Sequence, residues 1–80
     1  MKRVAVQYFA VLREQADRSE ESVETSADTL RALYDELAAR HGFKLAPEVV
    51  KVAVNDDFGT WEQPLADRDR VVFIPPVAGG

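Results

Sequence analysis

An α+β domain, with one amphipathic helix laid over a sheet of short strands, is what these 80 residues predict. Three observations carry that expectation: alternating apolar positions near the N-terminus, a helical stripe in the middle, and β-branched runs in the last third.

From Lys2 to Phe9 apolar and polar residues roughly alternate, with Val4, Val6 and Tyr8 on one face, as in a half-buried strand. Ala10 to Gln15 contains no breaker and has room for a turn of helix, while Asp17 to Glu21 is polar enough to be a surface turn. Ser22 to Thr25 alternates again about Val23, which predicts a second strand in a hairpin-like pair with the first. Leu30, Leu33, Tyr34, Leu37 and Ala38 then fall at i, i+3, i+4, i+7 and i+8, one stripe of a helix. Either Asp28 or Thr29 can cap its start by accepting from a free first-turn amide, and Gly42 is placed to end it. On the opposite side Arg31 with Asp35 and Glu36 with Arg40 stand four apart, each pair worth roughly 0.2–0.5 kcal/mol.

Pro47 interrupts the next segment, and Val49 to Val54 is an apolar β-branched run dense enough for a central strand. Asn55 to Gly59 reads as a turn, and Trp61 to Leu65 as a short irregular or edge segment containing Pro64, with Trp61 sealing the edge of the core. Asp67-Arg68-Asp69 makes a second turn before the last strand, Arg70 to Ile74. There is no repeat and no linker, so residues 1–80 read as a single domain.

The composition, 46% hydrophobic and 30% charged, is that of a folded globular domain. At this size folding hides only roughly 60% of the unfolded surface, too little for a deep catalytic cleft, so an autonomous enzyme is not expected. A net charge of -4 with scattered Lys and Arg argues against a nucleic-acid partner. No apolar run approaches the roughly 20 residues a bilayer requires, and no signal-peptide block opens the chain; the expectation is a cytoplasmic protein away from membranes. With no cysteine, any sulfur chemistry must use something other than a side-chain thiol. His41, the sole histidine, reads as a cation at a helix C-terminus rather than a metal ligand. Asp17, Glu20, Glu21 and Glu24 lack the spacing of a calcium loop and read as a solvated face.

Pro75-Pro76-Val77-Ala78-Gly79-Gly80 cannot continue the sheet, because each proline lacks an N–H and restricts its predecessor. Residues 75–80 are therefore expected to form an extended, flexible tail. Four residues past the second proline reach roughly 13 Å at ~3.3 Å each, enough to thread a narrow channel in another protein. Chain ends often gather small residues without a function. Yet two adjacent glycines arise at a set place by chance only roughly 0.5% of the time, and here a strand and a stiff proline spacer precede them. A carboxylate is a poor electrophile until coupled to a leaving group such as AMP. A sulfur donor can then displace AMP from Gly80, leaving a thiocarboxylate that is nucleophilic at neutral pH. Glycine at 79 and 80 removes steric obstruction and accepts any backbone angle such a channel imposes.

Tyr8-Phe9-Ala10-Val11-Leu12-Arg13-Glu14, and Pro64-Leu65-Ala66-Asp67 running into Val71-Val72-Phe73-Ile74-Pro75-Pro76-Val77-Ala78-Gly79-Gly80, are similar to the small-subunit family of molybdopterin synthase. That family belongs to the ubiquitin-like β-grasp sulfur carriers, and the resemblance spans the whole chain. It implies a mixed sheet of four to five strands packed against one main helix. It also implies charging by an ATP-dependent adenylating enzyme related to ubiquitin activators, through a transient acyl-AMP, with sulfur from a donor such as a sulfurtransferase. No cofactor is then held stably and no metal is bound. The tail would enter the large subunit of the synthase, within a heterotetramer, where Gly80 bears the sulfur given to cyclic pyranopterin monophosphate and Gly79 is the slender approach. The catalytic side chains would belong to the partner, leaving this chain a non-catalytic subunit.

By matching position, Phe9, Arg13, Phe58 and Ile74 would face the partner, with Pro75, Pro76, Val77 and Ala78 following them in. Phe9 and Ile74 also suit an ordinary core, Phe58 is harder to bury at a turn, and Arg13 suits an interface rim. One departure stands out: Asp67-Arg68-Asp69 occupies the place of a common Asp-Gly-Asp. A positive φ at Arg68 would cost on the order of 1 kcal/mol. Other classes stay open: a thiocarboxylate carrier for thiamin synthesis or tRNA thiolation, a ubiquitin-like modifier joined to lysines, or a plain binding module.

Overall fold

A computed structural model of the chain describes residues 1–76. In chain order it contains β1 (Lys2–Tyr8), α1 (Ala10–Ala16), β2 (Glu20–Thr25), α2 (Leu30–His41), a 3-10 turn (Pro47–Val49), β3 (Lys51–Val54), β4 (Asp57–Phe58) and β5 (Arg70–Ile74). The strands make one mixed sheet in the order β2-β1-β5-β3-β4, with β1 parallel to β5 and the other neighbours antiparallel.

Register follows from which side chains must leave water. Val4 pairs with Val23, Val6 with Val71, and Tyr8 with Phe73, while Val52 and Val54 of β3 sit beside Phe73 and Val71. All of these are buried, because alternate residues of a strand share a face. Leu30, Leu33, Tyr34 and Leu37 of α2 close onto that face as the helical stripe predicts, with Ala38 at its margin. Thr29 caps α2, its hydroxyl accepting from the Ala32 N–H at 3.1 Å, and Gly42 ends it at φ 75. Phe73 anchors the middle of the core, with Tyr34 edge-on at 5.1 Å and Trp61 stacked at 5.9 Å. Trp61 lies at the core margin, as its place in the sequence implies.

Several boundaries differ from the sequence reading. The segment Ala10–Ala16 is a genuine short helix. The second strand starts at Glu20 rather than Ser22, so the polar stretch from 17 to 21 is only in part a turn. The run from Val49 yields a strand only from Lys51, Val49 being exposed in the 3-10 turn, and β5 rather than β3 is the middle strand. Asn55 and Asp56, at φ 52 and 76, form a two-residue hairpin loop of the type with left-handed backbone at both positions. Asp57 and Phe58 therefore pair back onto β3 instead of extending the turn.

Glu21 leaves the solvated acidic face assigned to it, because in register it points inward with Val23 and Thr25. Its side chain is 9% exposed; Oε2 accepts from the Tyr8 hydroxyl and lies 2.6 Å from His41 Nε2, and Oε1 lies 3.2 Å from Arg18 Nη1. Burial alone would raise this carboxyl. The hydrogen bonds from Tyr8 and His41, then the charges of His41 and Arg18, outweigh it and hold the group below the usual range. Burial, reinforced by Glu21, pushes the Tyr8 phenol upward.

Two predictions follow from these local geometries. A carboxyl depressed in the folded state stabilises the fold above its unfolded pKa of roughly 4.3, and that stabilisation is lost as pH falls through the folded value. Urea unfolding of wild type should therefore weaken on acidification below that point, and Glu21→Gln should lose less over the same range; equal acid losses would remove Glu21 from the account. Arg68 does adopt φ 71, in a turn pinned by its N–H to the Arg3 carbonyl at 2.8 Å and by the Asp69 carboxylate on the Ala66 N–H at 2.8 Å. Arg68→Gly should raise stability by about 0.5–1 kcal/mol and the melting midpoint by a few °C. An unchanged midpoint would mean the turn stores no strain.

Candidate functional site: the uncovered face of the sheet

Because α2 covers one side only, the other set of alternating residues is left to solvent. Register lays Gln7, Val72, Ala53 and Phe58 side by side across β1, β5, β3 and β4, and places Lys51 beside Ile74. Phe9 continues the β1–β5 register one residue past the Tyr8–Phe73 pair, which sets it next to Ile74. Phe58 is 75% exposed and Phe9 41%; Ala53, Val72 and Ile74 are half-buried. These side chains make an apolar strip that the core does not use.

Local backbone explains why each is displayed. Phe58 stands on a two-residue strand with β3 as its sheet neighbour and no helix above it. Ile74 alternates with the inward Phe73, so neither it nor Phe9 belongs to the core. Ala10, between Phe9 and Val11, takes φ 52 where β1 turns into α1, an uncommon conformation for a residue with a Cβ. Arg13 is exposed on α1. Beside the strip lies a shallow hollow of about 540 Å³ whose lining includes Ala5, Gln7, Ser22 and Val72, with Arg70 and Asp56 paired at 2.7 Å across its rim.

Phe9, Phe58 and Ile74, named from the sequence, are thus brought onto one face. Pro75 is not: it stays buried, so the departure expected at residue 75 leaves only Pro76 exposed among the described residues. Val77, Ala78, Gly79 and Gly80 lie outside the described residues. Val72 and Ala53 belong to the strip although sequence reasoning did not single them out. For Val72 the signal was present in the alternation of Arg70–Ile74, but an unbroken apolar run hides which residues face out. No group of three acidic, His or Cys side chains among the described residues is arranged to hold a metal ion. What this face offers is a surface for binding.

Comparisons of sequence and of structure agree on one family. The ThiS family model matches residues 6–80. The chain is 34% identical, over 96% of its own length and 99% of the relative's, to the molybdopterin synthase sulfur carrier subunit of Escherichia coli K12. A putative molybdopterin converting factor subunit 1 from Pyrococcus furiosus superposes with a TM-score of 0.81 at 33% identity, covering 96% of this chain and 100% of that one. A chain in the complex of subunits 1 and 2 of molybdopterin-converting factor from Helicobacter pylori matches with a TM-score of 0.66 at 28% identity, over 98% and 99%. The mixed α+β sheet is thus the ubiquitin-like β-grasp fold that the resemblance implied. From its first strand to its final glycine, the chain belongs to the ThiS family.

Proposed function

We propose that this chain is the sulfur carrier subunit of a molybdopterin synthase. The observation that carries the reading is the apolar strip on the uncovered face, which runs from Phe58 across Ala53 and Val72 to Ile74 and Phe9 at the end where β5 runs into Pro75 and Pro76. A partner gripping that face receives the tail directly into its own site. The large subunit of the synthase is that partner, within a heterotetramer, and Arg13, Pro76, Val77 and Ala78 extend the contact.

In the charging step a Gly80 carboxylate oxygen attacks the α-phosphate of ATP on an adenylating enzyme, and pyrophosphate leaves. The persulfide of a donor such as a sulfurtransferase then displaces AMP at the acyl carbon, forming an acyl disulfide. A thiol reductant cleaves its S–S bond, leaving the thiocarboxylate on Gly80 and a disulfide between the thiol and the donor cysteine. In the large subunit the thiocarboxylate sulfur bonds to a carbon of cyclic pyranopterin monophosphate in place of an oxygen substituent. Water cleaves the resulting thioester to leave the sulfur on the substrate and return the Gly80 carboxylate, and two passes supply both dithiolene sulfurs. Gly79 keeps the approach narrow. The chain needs no resident cofactor for any of this, contributes no catalytic side chain, and works in the cytoplasm.

The absence of cysteine provides a direct test. A thiol-selective alkylating reagent applied to protein purified from its native cell should add mass at Gly80 alone. Protein recovered only as conjugates to lysines of other chains would overturn the reading in favour of a modifier. Separately, Phe58→Ala should weaken binding to the large subunit by at least ~tenfold while leaving the melting midpoint nearly unchanged. A loss of several kcal/mol of stability with binding intact would remove this face from the mechanism.

A further inference from the structure

Charge is spread unevenly around the strip. All but three of the ten Lys and Arg residues make an ion pair with a carboxylate. The exceptions among the described residues are Arg13, Lys44 and Lys51, all exposed. Topology gathers them at one end of the fold. The parallel strands β1 and β5 finish there at Tyr8 and Ile74, and β3, antiparallel to β5, starts there with Lys51 beside Ile74. Arg13 lies on α1, which follows β1, and the Lys44 N–H donates to Gln15 Oε1 of that helix at 3.2 Å. This is also the end where the chain leaves the sheet.

Of the acids at that end, Glu14, Asp17, Glu20 and Glu21 sit on α1, its C-cap and β2, and Glu48, in the 3-10 turn just before β3, is paired with Arg31 at 3.7 Å. Lys51 stands across the sheet from the acids of α1 and β2, separated from β2 by β1 and β5, and makes no ion pair with Glu48 among the described residues. It is thus a cation without a carboxylate partner among the described residues, touching the apolar strip at the tail exit of a chain whose net charge is -4.

Resting on the reading above, we infer that Lys51 is the docking determinant of this face: the large subunit seated on Phe9, Ile74 and Phe58 places a carboxylate against the Lys51 ammonium. Apolar contact holds two surfaces together but tolerates rotation between them. One charge pair beside the tail exit fixes the orientation, so that residues 76–80 enter the partner's channel and not its flank.

Calorimetric titration with the large subunit at about 50 mM and about 300 mM NaCl tests this, because the screening length shortens about 2.5-fold between low and high salt. Lys51→Glu should lower affinity at least ~tenfold at low salt and by less at high salt. Lys51→Met should flatten the salt dependence, and Arg68→Gly, a charge removed at the opposite end, should leave binding unchanged. Equal melting midpoints of the Lys51 variants and wild type establish that folding is not the cause. Wild-type affinity for Lys51→Glu, with Phe58→Ala still weakened, would overturn the inference and leave the proposed function standing. If neither substitution mattered, the face itself would be wrong. Self-association of wild type abolished by Lys51→Glu, with large-subunit binding untouched, would make a second copy the occupant and also overturn it.

Discussion

The parallel pairing of β1 with β5 sets the geometry of both faces of this molecule. Val6 lies beside Val71 and Tyr8 beside Phe73, joining the first strand to the last across nearly the whole chain. Side chains alternate with a period of two, so the register that buries these four also turns Val72, Ile74 and Phe9 outward. A slip of one residue would exchange the faces, putting Phe73 in water and Ile74 under α2. Core and binding strip are two consequences of one register.

Coverage on one side only follows from size. A chain of 80 residues has a single long helix to spend on a single face. The uncovered face keeps the apolar side chains that folding does not require, and these are the groups available to a partner. A carrier of this kind has no walls with which to build a reaction chamber. In the function proposed above, the chemistry is confined to a covalent handle at the chain end, and the tertiary structure supplies the grip that delivers it.

Polar groups at the margin hold the elements in place around that grip. Tyr8 of β1, Glu21 of β2 and His41 at the end of α2 meet in a partly buried cluster that ties the edge strand to the helix. At the opposite end, Asp69 accepts from Asn55 at 3.0 Å and from the Ala66 N–H, linking the hairpin loop after β3 to the turn before β5. That turn constrains Arg68 in left-handed backbone, where a glycine would sit without strain. The lattice of turn contacts is strong enough to hold a residue poorly suited to its φ.

Local order was legible in the sequence because it depends on neighbours in the chain. The spacing of Leu30, Leu33, Tyr34 and Leu37 and the capping chemistry of Thr29 and Gly42 specify α2, and the alternation of Val4, Val6 and Tyr8 specifies β1. The glycine pair and the missing cysteines raised the expectation of a tail chemistry without any fold at all, on residues that lie outside the described ones. Pairing partners, by contrast, depend on residues far apart in sequence. Only the tertiary structure drew Glu20 and Glu21 into a strand, folded Phe58 back onto β3, made β5 the middle strand, and placed beside Ile74 a Lys51 that has no carboxylate partner among the described residues. Each of those outcomes is a matter of which strand lies alongside which, and no window of neighbouring residues contains that information.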